Sequence, residues 1–240
     1  MKDPAARSWA ATAVIAFACC AAFAVDPPDL RFNLQSGLIE TVDSTWSGSD
    51  YNVRYTVTTG DGWQSTSSLL STNPANDLDP RIVLSSSGDA CVAWWRDRVP
   101  NTIVFRKRVF ATGVWSVEHP VGLSTESNSR PRLVYAGARI WVAYQIQSAK
   151  SRSVGVQIID DDPEPVRSIV ASTSYQGDLD IQLQAESGHL WVSWIDTNQR
   201  VGYSEYLYEK QLWSAPMFEK FVGDTPAGAR SLIRGFVLGF

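Results

Sequence analysis

The sequence predicts an all-β protein, a β-propeller of four-stranded blades, and three marks that recur every 50 residues or so carry that prediction. The first mark is aromatic: Trp94 in VAWW, Tyr144 in VAY and Trp194 in VSW, with Trp46 in DSTW one unit earlier. The second follows a turn: Trp63 after GDG, Trp115 after TGV and Trp213 after KQL, with one unit lacking it near Glu164. The third opens each unit. DLRFNL, DPRIVL, RPRLVY and DLDIQL place Arg31, Arg81, Arg132 and Asp180 in equivalent positions, and GARSLI then supplies Arg230. Units therefore begin near residues 30, 80, 131, 179 and 229.

The second unit shows how each element arises. Ile82 and Leu84 alternate in a first strand, Ser87-Gly88-Asp89 turns, and ACVAWW continues as a second strand. The loop RDRVPN leads to a third strand, TIVFRKRVF, and Ala111-Thr112-Gly113 turns into a short fourth strand around Trp115. Short strands rich in β-branched and aromatic residues, punctuated by glycine turns, form antiparallel meanders. Four such strands per repeat make a propeller blade. Wide aromatic side chains fill the wedge between blades, and each removes roughly 150–250 Å² from water. At ~25 cal/mol per Å² that is an upper bound of ~4–6 kcal/mol. Trp46, Trp94, Tyr144 and Trp194 are accordingly expected in the core.

The N-terminus is of a different kind. Lys2 and Arg7 precede an apolar run from Ala10 to Phe23, and Ala22-Phe23-Ala24 fits a cleavage site of small residues. Residues 1–24 are expected to be a signal peptide, and residues 25–240 the propeller repeats of a secreted, periplasmic or cell-surface protein. The run is too short to span a bilayer, which takes about 20 residues, so no membrane span is expected after processing. Removal of residues 1–24 leaves a net charge of −5 and a single cysteine, Cys91, in an apolar strand. A mildly acidic chain does not suit nucleic acid, whose phosphates require a basic face. The ending Phe236-Val237-Leu238-Gly239-Phe240 resembles the interior of a blade. The expectation is a piece of a larger propeller, or a ring closed by a last strand that completes the first blade.

A unit of the form P-x-I-x-L…G…V-x-W…V-x-Y/F-R…G-x-W resembles the sialidase-like propellers with degenerate Asp-box (BNR) repeats, and the likeness runs from residue 30 onward. VTTGDGWQS, ATGVWS and YEKQLWS keep the turn and the tryptophan of the Asp-box but not its spacing. The resemblance implies a propeller fold, and it implies that arginines from several blades could grip a substrate carboxylate.

The unit-opening arginines are the candidate ligand-binding residues. First strands line a propeller's axis, so Arg31, Arg81, Arg132 and Arg230 would converge at one end of the channel. Like charges about 4 Å apart repel by about 4 kcal/mol at a surface-like dielectric. The arginines must therefore be spread out, paired with acids, or waiting for an anion. Asp29 and Asp79 lie two residues before their arginines, hence on the same strand face. A neutralised channel lining, a site for an acidic sugar or other anion, and catalysis all remain open.

Retaining glycosidase chemistry needs a nucleophile and an acid or base flanking the bond. GYSEYLY, with Tyr203, Glu205 and Tyr206, is the nearest match, and it reads better as a solvated edge strand. No catalytic residue can be named. Asp160, Asp161, Asp162 and Glu164 carry no calcium-loop spacing, His119 and His189 stand apart, and no nucleotide-binding motif occurs. No cofactor and no metal is expected. The loops at 47–50, 96–101, 145–152 and 196–200 form the candidate rim, with Arg96, Arg98, Lys150 and Arg152 lending it positive charge. The reading is an exported binding module for carbohydrate, another anionic ligand or a protein partner. The alternatives are a sialidase-like hydrolase and a structural segment of a larger surface protein.

Overall fold

The structure is a computed structural model, which describes residues 28–159, 167–173, 179–195 and 200–220. It is an all-β propeller arc of four blades, each an antiparallel meander. Blade 1 is β1 (Asp29–Asn33), β2 (Leu38–Trp46), β3 (Tyr51–Thr58) and β4 (Ser65–Leu69). Blade 2 is β5 (Asn76–Leu84), β6 (Ala90–Asp97), β7 (Thr102–Arg108) and β8 (His119–Val121). Blade 3 is β9 (Ser127–Ala136), β10 (Arg139–Gln147), β11 (Arg152–Ile159) and β12 (Arg167–Thr173). Blade 4 is β13 (Asp180–Glu186), β14 (His189–Ile195) and β15 (Arg200–Leu207), with an outer strand split into β16 (Leu212–Trp213) and β17 (Met217–Lys220). The split falls at Ser214-Ala215-Pro216, where proline supplies no ladder donor.

Turn chemistry sets the inner hairpins. Gly137-Ala138 and Ser187-Gly188 take positive φ at both positions, as a two-residue type I′ turn demands. Register then follows alternation, and each sheet presents one face to the preceding blade and one to the next. Three buried cores result, one per interface. Val42, Val53 and Tyr55 meet Ile82, Val92 and Trp94 between blades 1 and 2. Cys91, Ile103 and Phe105 meet Leu133, Val142 and Tyr144 between blades 2 and 3. Trp141, Val154 and Val156 meet Ile181, Val192 and Trp194 between blades 3 and 4.

Trp94, Tyr144 and Trp194 thus hold the core positions expected of them, at 0–2% exposure. Trp46 does not. It ends β2 on the same face as Val42 and Ser44 but past the buried stretch, 55% exposed, with its ring 5.1 Å from that of Tyr51. The 48-residue step to Trp94 already differs from the others by two residues. Because alternation has a period of two, a step that differs by two does not move a residue to the other face; the exposure of Trp46 comes from its place at the end of β2, past the buried stretch Glu40–Ser44.

Candidate functional site: the inner-strand arginines

The first strands β1, β5, β9 and β13 pack side by side in succession, so the residues that open the units share one wall. In β5 and β9 the wall is kinked. Asp79 and Arg130 adopt φ of +48° and +57° immediately before Pro80 and Pro131, and the ladder shifts register at both places. Proline disfavours the right-handed helical region for the residue before it, and a bulge re-aims the side chains around it. Arg81 and Arg132 leave these kinks in the same register, opposite Ala93 and Ala143.

The kinks bring two arginines from adjacent blades onto one carboxylate. Arg81 pairs with Asp79 Oδ1, and Arg132 donates to Asp79 Oδ2 at 2.9 Å. Arg132 Nε also donates to the Ile181 carbonyl of blade 4 at 3.1 Å. On the other side Arg31 pairs with Asp29 at 2.9 Å, and Asp29 Oδ2 accepts the Ile82 amide of blade 2 at 2.9 Å. One chain of contacts therefore links the inner strands of all four blades. Arg31, Arg81 and Arg132 meet Asp29 and Asp79 along it, with Asp180 of blade 4 on the same wall, and the buried Nε of Arg81 has no hydrogen-bond partner among the described residues. Arg230 lies outside the described residues.

Blade 4 departs from the sequence alignment. Its inner strand has no register shift, so Gln182, opposite Ser193, occupies the position of Arg81 and Arg132. Asp180 instead lies two residues earlier and accepts a hydrogen bond from Gln182 Nε2 at 3.2 Å, in the manner of Asp79 with Arg81. The bulge of blades 2 and 3 shifts register without leaving a gap in the text, which is why the alignment misplaced this residue.

The loop cations are not all a rim. Arg96 is buried, with Nε and Nη2 on Asp77 at 2.8 and 3.2 Å and both terminal nitrogens on Glu118. Burial pushes its pKa down, but the bonds to Glu118 and Asp77 outweigh burial and raise it above the usual arginine range. Arg152 is also buried and donates to the Ser148 and Ser151 carbonyls. Arg98 and Lys150 remain exposed.

A tyrosine–carboxylate pair does exist, but at a place the sequence reading missed. Tyr55 donates to Glu40 Oε2 at 2.7 Å, while Glu40 Oε1 accepts from Asn33 and from Arg108 of blade 2, both at 2.7 Å. Arg108 also donates to the Tyr55 hydroxyl and lies over the rings of Tyr55 and Trp115. Both members are buried in the interface between blades 1 and 2. Burial, then the bond to Glu40 and its charge, push the Tyr55 phenol far above its usual range. That is the reverse of an activated nucleophile, and the network serves to join blades. It went unseen because Glu40 lies 15 positions from Tyr55 and 68 from Arg108 in the chain.

The GYSEYLY residues and the histidines also find partners. Tyr206 packs on Trp141 and Trp213 between blades 3 and 4, and β15 has β16 and β17 outside it, so it is no edge strand. Glu205 meets His189 Nδ1 at 2.5 Å, His189 stacks near Trp191, and His119 stacks on Phe105. Among the described residues no His, Cys, Asp or Glu cluster has the form of a metal site. No described helix is long and apolar enough to cross a membrane. Asp160, Asp161, Asp162 and Glu164 lie outside the described residues.

The turn-following tryptophans divide in two. Trp115 seats on Tyr55 of the preceding blade, and Trp213 seats on Trp141 of the preceding blade. Trp63 stands 86% exposed on a hairpin tip whose Asp61 carboxylate accepts from Thr59 Oγ1 and the Trp63 amide.

Comparison with known proteins places the fold. No family model and no curated protein sequence matches the chain. Among solved structures it is similar to the intramolecular trans-sialidase of Ruminococcus gnavus, with a TM-score of 0.60 at 8% identity over 80% of this chain and 70% of that one. It is also similar to the NanB sialidase of Streptococcus pneumoniae, with a TM-score of 0.56 at 9% identity over 83% of this chain. An exo-β-1,3-galactanase of Phanerochaete chrysosporium gives 0.52 at 10% identity over 79% of this chain. The chain spans about half the length of the latter two, 52% and 49%. The fold is thus that of a sialidase-like β-propeller.

Proposed function

We propose that the chain is a propeller module that binds carbohydrate, and acidic carbohydrate in particular, along its inner-strand arginines. The observation that carries this reading is the meeting of Arg81 and Arg132, from two blades, on the single carboxylate of Asp79. Two guanidinium groups on one acid leave positive charge and unused donors, and guanidinium is the group that matches a carboxylate or sulfate in bidentate fashion. The fold neighbours lend support. They are sialidases and a galactanase, one determined with oseltamivir carboxylate and another with β-1,3-galactotriose. Hydrolysis is the less favoured reading, because the Tyr55–Glu40 pair is buried between blades with its phenol held protonated.

The test is a glycan screen of the full chain against neutral and acidic oligosaccharides, with bound and cleaved species both read by mass spectrometry. Retention of acidic glycans, lost in Arg81→Ala at unchanged melting temperature, supports the binding module. Release of a terminal acidic sugar makes the protein a hydrolase. Equal retention of neutral and acidic glycans, or the same retention by Arg81→Ala, overturns the arginine site.

A further inference from the structure

We infer that Trp46 and Tyr51 form a stacking platform for a neutral sugar ring at the rim of blade 1, and that the ligand is an oligosaccharide whose acidic residue reaches the inner-strand arginines from there. The acidic end rests on the proposed arginine site, the neutral end on the platform alone.

The repeat does not require these aromatics. Trp46 and Tyr51 are the cross-strand pair that closes the β2–β3 hairpin. The same hairpin is closed by Arg96 and Thr102 in blade 2, by Gln147 and Arg152 in blade 3, and by Ile195 and Val201 in blade 4. Alternation places both rings on the side of Val42 and Val53, which faces blade 2. The exposed indole is therefore not part of an outer face of the arc that lacks a neighbour. A single exposed apolar side chain is ordinary, but here two rings stand 5.1 Å apart at 59°. The hairpin that carries them is pinned to blade 2. Ser44 Oγ donates to the Asp77 carbonyl at 3.0 Å, and the Tyr51 amide donates to Asn76 Oδ1 at 3.2 Å. Across the turn the Ser47 amide donates to the Asp50 carbonyl at 2.9 Å. A platform fixed before binding loses little entropy when a ring settles on it.

The chemistry of the tip selects a neutral ring. An indole presents a wide apolar face with a polar edge, which suits the C–H face of a pyranose. Hydrogen bonds from Ser47 and Ser49 hold the Asp50 carboxyl below its usual range, so it is anionic at neutral pH. A carboxylate there repels an acidic sugar and can accept hydrogen bonds from the hydroxyls of a neutral one. Distance separates the two ends. Asp29, the first residue of β1, pairs with Val42 in the ladder, and its Oδ2 accepts the amide of Ile82, the residue after Arg81. Trp46 lies four residues beyond Val42 on β2, about 14 Å in an extended strand. One sugar ring cannot touch both, whereas an oligosaccharide can.

The experiment is an NMR titration of the full chain with N-acetylneuraminic acid, with lactose, and with 3′-sialyllactose, which joins the two. The trisaccharide is expected to bind about tenfold more tightly than the acidic monosaccharide. Trp46→Ala should remove that gain at unchanged melting temperature and leave the monosaccharide's affinity as it was, while Trp46→Phe should keep the gain. Arg81→Ala should lose the monosaccharide and still bind lactose. If the acidic sugar does not bind but lactose does, and Trp46→Ala abolishes it, the platform is upheld and the arginine site fails. A trisaccharide that gains nothing over the monosaccharide it contains overturns the inference. So does a Trp46→Ala variant that weakens both equally, or a parent chain that binds none of the three.

Discussion

Gly202 faces the buried indole of Trp194 across the β14–β15 ladder, and the substitution Gly202→Ala tests the packing logic of the whole arc. A Cβ at residue 202 would lie 2.3 Å from Trp194 Cε2, 2.5 Å from Nε1 and 2.6 Å from Cζ2. Carbon atoms pack best at about 3.5–4.0 Å, so the ring would have to retreat by more than about 1 Å. It has nowhere to go: Trp194 is 2% exposed and sits in the core between blades 3 and 4. Overpacking of this kind costs about 1–3 kcal/mol. In an open strand the same change would stabilise by up to about 1 kcal/mol, because alanine has less chain entropy to lose. The sign of the effect therefore discriminates. For a chain of this size about 1–3 kcal/mol corresponds to a melting temperature lower by roughly 2–12 °C. The assay is thermal unfolding followed by tryptophan fluorescence, with Trp194→Phe/Gly202→Ala expected to recover part of the loss. A melting temperature equal to or above that of the parent refutes the argument. Gly155→Ala, whose Cβ would lie 2.8 Å from the Tyr144 ring, should behave alike.

Other outcomes follow from the same interfaces. Arg108→Met, which strips the buried Glu40 of its cation, is expected to cost about 3–5 kcal/mol, and adding Glu40→Gln should restore part of it in a double-mutant cycle of denaturant unfolding. The Asp89 carboxylate accepts the Phe110 amide and the Ser87 hydroxyl, each at 2.7 Å, and these bonds hold its pKa below the usual value. Its stabilisation is full above the unfolded value of about 3.9 and is lost as pH falls through the lower folded value. Asp89→Asn should therefore flatten stability between pH 7 and pH 3, as read by urea midpoints. Burial pushes the Cys91 thiol up to about 12, so peptide mapping after iodoacetamide at pH 8 should find Cys91 unmodified until the protein unfolds. Trp63→Ala should change stability by less than about 0.5 kcal/mol, whereas Trp115→Ala, which empties a seat on Tyr55, should lower the melting temperature clearly.

The repeat by itself determined that this chain folds as four-stranded blades. Sheet alternation and glycine turns are local, and their recurrence leaves little other way to bury so many aromatic residues. It also marked Trp94, Tyr144 and Trp194 as core, because strand phase decides which side chains face a neighbour. Only the tertiary structure decided which polar groups meet. The bulges at Asp79-Pro80 and Arg130-Pro131 shift register without a gap in the sequence, so they alone bring Arg81 and Arg132 to one acid and put Gln182 in their place in blade 4. Tertiary structure likewise withdrew Arg96 and Arg152 from the rim and assembled Glu40, Tyr55 and Arg108 from two blades. Packing of a repeat is dictated by near neighbours and can be read from a period. A charged site is built by residues that meet across blades, and their meeting depends on small offsets that no period records.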